Sequence, residues 1–205
     1  MKKILILSCT VIALALTTGT AVAADSISGR LGVTGRIGLL VPEDSDALFV
    51  PSKLETDIGF IGGGGLLYGI NKNIAAELDI THSEFDADLA GFRAGDFSTT
   101  YISLGAQYRF VDLGTQRLVP YLGAGLDILV NDFTFENGAN ASVDTVAGAH
   151  VSGGVDYFLT KQLALTAEVK GLLAPDADIE IDGDKIGDYN PTSLSTTFGV
   201  RFFFN

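Results

Sequence analysis

His150-Val151-Ser152 sets an imidazole and a hydroxyl two residues apart, the spacing at which one strand face brings side chains together. An imidazole can take a hydroxyl proton, so the pair invites an acyl-transfer reading. A nucleophile needs its base oriented by a third group, however, and no Asn follows the serine. Asp178, Glu180, Asp182 and Gly183 match the first half of a calcium loop, but its twelfth position is Tyr189 instead of Glu. These acids read as the wet face of a hairpin. Gly62 to Gly65 could cradle a phosphate, yet neither phosphate-loop motif is complete, and glycines within a strand more often permit close backbone approach. His82 stands alone, and H-E-x-x-H and any basic nucleic-acid stripe are missing from the sequence. No catalytic residue, metal site or cofactor is therefore expected.

A larger constellation remains. Arg30, Arg36, Glu77, Asp79, Arg109, Asp127, Asp156, Glu168, Lys170 and Arg201 each share a parity with Gly, Ser or Thr, while the residues between them are mostly apolar. Charges gathered at this density away from water must pair, which predicts a structural plug of ion pairs. Leu40, Ile61, Leu129 and Leu172 share the charged parity but lie nearer the other ends of their segments. They predict either a small apolar pocket, opening outward, that binds small hydrophobic molecules, or side chains that simply pack the barrel mouth.

The elements that would hold these residues show most plainly at the C-terminus. Leu194, Thr196, Phe198, Val200, Phe202 and Phe204 alternate with Ser193, Ser195, Thr197, Gly199 and Arg201. A period of two puts the two sets on opposite faces of one strand. One face is too greasy for water and the other too polar for a core, as in the wall of a transmembrane β-barrel. The same alternation recurs at 30–41, 54–70, 74–81, 101–110, 120–130, 147–157 and 163–173, predicting an all-β, eight-stranded antiparallel barrel. Connections after the second, fourth and sixth strands are short. Those after the first, third, fifth and seventh are long and acidic: 42–53 and 83–98 read as loops. The alternation continues beyond 130 to Asn137-Gly138 and through Ile179 and Ile181 to Asp182-Gly183, which predicts β-extensions. Short periplasmic turns and longer extracellular loops mark outer-membrane barrels, so both termini are expected in the periplasm. Tyr68, Tyr108, Phe110, Tyr157, Phe202 and Phe204 would form an aromatic girdle at that end.

The 205 residues and net charge of -12 fit this reading. The length suits one barrel of about eight strands of ~9–11 residues with connections. Lys2 and Lys3, the apolar run to Leu16 and Ala21-Val22-Ala23 form an export signal with cleavage expected before Ala24. The one cysteine, Cys9, lies within it, leaving no thiol in the single barrel domain expected at 24–205.

Val119-Pro-Tyr-Leu-Gly-Ala-Gly-Leu-Asp127, Gly153-Gly-Val-Asp-Tyr-Phe158 and the extension from Leu163 to Ile181 resemble the OmpW family of small outer-membrane barrels. The resemblance implies a monomer in the bacterial outer membrane, among lipid and lipopolysaccharide and placed there by the barrel assembly machinery. It also implies a narrow lumen passing small hydrophobic molecules. Two features depart from the family: the chain has no Trp to gate a lumen, and it ends in Asn205 instead of an aromatic residue. The competing expectation is a structural or adhesive barrel, closed inside and acting through its long connections.

Overall fold

The computed structural model describes residues 27–43, 45–47, 53–56, 58–89, 92–113, 117–135, 140–181 and 184–204. The expected signal segment and both expected hairpin dipeptides lie outside them. The strands are β1 (Leu31–Pro42), β2 (Ser45–Ala47), β3 (Lys53–Thr56), β4 (Gly59–Gly69), β5 (Ile74–Leu89), β6 (Phe92–Arg109), β7 (Leu118–Phe135), β8 (Asn140–Val143), β9 (Val146–Phe158), β10 (Leu163–Leu173), β11 (Ala177–Ile181), β12 (Asp184–Tyr189) and β13 (Ser193–Phe203). Every pairing between them is antiparallel.

Eight of the strands close a barrel in the order β1, β4, β5, β6, β7, β9, β10, β13 and back to β1. Its lower end, where β1 begins and β13 finishes, carries the short turns. Two of these are fastened by side chains standing in for backbone acceptors. Asn71 Oδ1 accepts from the amides of Asn73 (2.8 Å) and Ile74 (2.9 Å), and Thr160 Oγ1 from those of Gln162 (3.2 Å) and Leu163 (3.0 Å).

The alternation sorts the side chains as expected. Ile37, Phe60 and Leu126 are 74%, 77% and 70% exposed on the outer face, whereas Arg36, Arg109 and Arg201 are 7%, 1% and 0% exposed within. Tyr68, Tyr108, Phe202 and Phe204 ring the lower outer surface, and the rings of Tyr108 with Phe110 and Phe202 with Phe204 meet edge to face. No helix among the described residues is long and apolar enough to cross a membrane.

The upper end departs from the sequence reading. The segment 83–98, expected as a polar loop, instead continues β5 and β6 as a paired ladder, with Ser83 opposite Thr99 and Phe85 opposite Phe97. The polar residues Glu84 and Asp86 occupy its outer face while Phe85 and Phe97 turn inward and are buried. The segment 42–53, also expected as a loop, contains β2 and the first residue of β3. The single strand expected at 54–70 is two, because Thr56 pairs with Ala87 but Phe60 with Glu84. One extra residue on that side makes the register slip, as at a β-bulge. The result is a second closed ring above the first: β5, β6, β7, β8, β11, β12, β2, β3 and back to β5.

Candidate functional site

An eight-stranded barrel has room inside for little beyond its own side chains, so large inward residues require small ones beside them. Glycines provide that space. A Cβ on Gly199 would come within 3.1 Å of both Arg36 Cβ and Thr166 Cγ2, and one on Gly65 would overlap the Asp79 carboxylate. On Gly154 it would lie 2.5 Å from the Tyr121 hydroxyl and 2.6 Å from the Ala167 carbonyl oxygen, which the sheet cannot move. Gly154→Ala is therefore expected to cost about 1–3 kcal/mol, measured by urea unfolding; unchanged stability would refute this packing.

Nine of the ten charged residues singled out in the sequence meet in the lumen. Arg36 bonds Glu168 (2.8 Å) and Glu77 (2.9 Å) and pairs with Asp79 at 3.0 Å. Arg201 donates to Thr34 (2.8 Å) and Asp156 (2.7 Å) and reaches Glu77 at 3.2 Å. Asp156 also pairs with Arg109 at 2.7 Å. Gln107 donates to Glu77 (2.7 Å) and Tyr121 to Glu168 (3.0 Å), while the guanidiniums of Arg109 and Arg201 lie 5.9 and 5.8 Å from the Tyr121 ring centre. A second group sits beside this network, where Asp127 accepts from Ser103, from Lys170 at 2.9 Å and faces His150 Nδ1 at 2.5 Å. His150 is thus oriented by Asp127, and Ser152 packs against Gly123.

Arg30 stands apart from the other nine at the lower mouth. Its guanidinium donates to the carbonyls of Lys161 (2.9 Å) and Phe204 (3.2 Å) and lies over the Phe203 ring. Position 30, just before β1 begins, lies outside the enclosed network, so backbone acceptors are its neighbours there.

Leu40, Ile61, Leu129 and Leu172 do converge, above the charges. They form the floor of an apolar cluster that continues upward through Tyr101, Phe97, Phe85, Phe133, Ile179 and Tyr189. Phe97 stacks on Tyr189 at 4.5 Å and meets Phe133 at 4.6 Å between ring centres. The expectation of a pocket opening outward is corrected to this extent: rings from the upper ring of strands roof the four residues over. The space left between Leu40, Ile61 and Leu172 and the charged level is about 20 Å³, room for one water-sized group.

A further closure went unanticipated. Leu67, Ala75, Val119, Phe158, Ala164 and Phe203 fill the lumen below the charges, with Phe158 and Phe203 stacked at 5.7 Å. The signal was available, since Leu67, Phe158 and Phe203 continue the inward parity of Gly65, Asp156 and Arg201. The aromatic roof was harder to find, because it depends on which upper segments pair.

Known proteins agree with this architecture. The family model described as outer membrane protein beta-barrel domain matches residues 10–202. A comparison with curated protein sequences finds no match. Among solved structures, OprG from Pseudomonas aeruginosa superposes with a TM-score of 0.72 at 18% identity, over 89% of this chain and 99% of that one. AlkL, determined in lipid bilayers, gives 0.61 at 15% identity, over 92% and 96%. Neisserial surface protein A gives 0.53 at 21% identity, over 86% and 98%. At these identities the likeness is one of fold, that of a small outer-membrane barrel, in keeping with the strand motifs. The matched span takes in the closed barrel to within one residue of the end of β13, and the chain belongs to the outer membrane protein beta-barrel domain family.

Proposed function

We propose that the barrel takes up small hydrophobic molecules from outside the cell and holds them in the apolar compartment above its ion pairs, without performing a reaction on them. The observation that carries this reading is the meeting of Leu40, Ile61, Leu129 and Leu172 beneath a cluster of rings and directly over a charged floor. Such a site is greasy where a ligand would lie and polar at one end, as small-molecule sites commonly are. In this reading the lower end and both termini face the periplasm, in keeping with short turns below and long connections above. The floor of ion pairs and the packed residues beneath it oppose straight passage downward.

Access requires Tyr189 to withdraw. It sits on the hairpin of β11 and β12, which among the described residues meets its neighbours through ladders of two residues each: Gly187 and Asp188 with Ala47 and Asp46, Ile179 and Glu180 with Val143 and Ser142. The barrel strands share ladders several times longer. Among the described residues the hairpin therefore has less pairing to lose on opening than the barrel strands do. Lys185 ties it together from outside through Asp178 (2.8 Å) and Asp188 (2.5 Å), hydrogen bonds that hold the ammonium pKa above its ordinary range.

Two measurements test the reading. In planar bilayers the purified barrel is expected to stay electrically silent. In lipid nanodiscs, leucine methyl signals of the compartment should shift saturably with naphthalene, and Leu172→Trp should weaken that response at least about tenfold, a loss of ~1.4 kcal/mol. Steady ion conductance, or naphthalene binding indifferent to the tryptophan, would overturn it. One observation favours a second reading, a structural or adhesive barrel: the upper strands close a complete ring whose interior is packed with side chains. Absence of binding by any apolar probe would favour it.

A further inference from the structure

We propose that the compartment selects neutral amphiphiles, such as medium-chain aliphatic alcohols or ketones, over hydrocarbons and over charged amphiphiles, with Lys170 binding the polar end. This rests on the reading above that the compartment binds small apolar molecules, and it names which of them.

The remaining space lies on a chemical boundary. Leu40 and Leu172 wall it above, whereas Lys170, Asp79, Thr81 and Ser195 wall it from the side and below. At about 20 Å³ it accepts a group the size of water, so a hydroxyl or carbonyl oxygen fits. A methyl group placed there would bury against donors that it cannot satisfy, which is the costly arrangement.

Lys170 is the donor best placed to act. Its ammonium has three N–H bonds, of which one goes to Ser103 at 2.8 Å and one to Asp127 at 2.9 Å. Among the described residues the third has no partner and remains for a ligand. Its side chain is 18% accessible, against 11% or less for the other charged groups of the lumen network. The guanidiniums are held by carboxylates of the floor, Arg36 by Glu77, Asp79 and Glu168 and Arg201 by Asp156 and Glu77, and the Arg36 Nε–H, without a partner among the described residues, is itself buried.

Charge then selects against ionic heads. The network holds Arg36, Arg109, Lys170 and Arg201 against the five carboxylates of Glu77, Asp79, Asp127, Asp156 and Glu168. A carboxylate head would add to the larger set in a poorly solvated site, and an ammonium head, meeting Lys170 and Arg36 as well as Asp79 and Glu168 there, would have to shed its hydration in a space with room for little else. A neutral acceptor avoids both penalties and still pairs with the free N–H. Sites built around such a bond discriminate against the analogue lacking it.

The test uses the full barrel in lipid nanodiscs, with leucine methyl shifts read during titration by octane, octan-1-ol, octanoate and octylammonium. Octan-1-ol is expected to bind about tenfold more tightly than octane, the order of one hydrogen bond to a charged group, and more tightly than either ion. In Lys170→Met the alcohol's advantage over octane should fall to within about twofold, while Lys170→Arg keeps part of it; amide spectra report whether each variant folds. Equal binding of octane and octan-1-ol, tightest binding of octanoate, or an unaltered preference in Lys170→Met with wild-type spectra would each overturn the proposal and leave the compartment itself standing. Binding of none of the four would remove both.

Discussion

Arg201→Met should destabilise the barrel by about 3–5 kcal/mol, the range for removing one partner from a buried charge network. The guanidinium is fully buried and supplies Asp156, Glu77 and Thr34 at once. Methionine matches its length but replaces none of those donors. The wall would then hold Arg36 and Arg109 against Glu77, Asp79, Asp156 and Glu168, so the carboxylate excess doubles where water is scarce. Urea unfolding of the barrel in lipid vesicles, followed by tyrosine fluorescence, measures the loss. A companion variant guards against a trivial outcome: Arg30→Met at the open lower mouth removes the same charge from carbonyl acceptors and should cost far less. A loss below about 1 kcal/mol for Arg201→Met would mean that the pairs are better solvated than their burial implies.

Leu126→Arg is the converse experiment and should cost about 2–4 kcal/mol, as cations do near the middle of a barrel's lipid face. Leu126 is 70% exposed and lies midway along the outward row from Leu122 to Val130 on β7. Two residues past that row, Asp132 occupies the same outer face, and Asp132→Arg should change stability little because water or headgroups reach it. The same residue type is thus required within, penalised at mid-wall and tolerated at the rim. Equal effects at 126 and 132 would show that the outer apolar band does not meet hydrocarbon.

Both predictions draw on side-chain parity, which is a local property of the chain. Arg36, Arg109 and Arg201 could be assigned to the lumen, and Ile37, Leu126 and Phe198 to the outside, from alternation alone, because a strand's geometry forces successive side chains to opposite faces. The eight strands and the charge-lined interior followed from that rule. So did the grouping of Leu40, Ile61, Leu129 and Leu172, which share parity and similar distance along their strands. Glycines at inward positions also made sense beforehand, though not which side chain each one accommodates.

Pairing is another matter, because it joins residues far apart in sequence and leaves little mark on either segment. Glu84, Asp86 and Asp96 made 83–98 look like a solvated loop; only the ladder between β5 and β6 turns Phe85 and Phe97 inward together and gives them Tyr189 as a third ring. The slip between β3 and β4 is likewise invisible until β5 is laid beside both. Alternation, a rule of neighbouring residues, was legible along the chain and told grease from charge and wall from lumen. Whether the lumen is open depends on register, on the upper ring of strands and on which large side chain meets which small one. Those are settled only when the sheet closes, since each strand's register then answers to all the others.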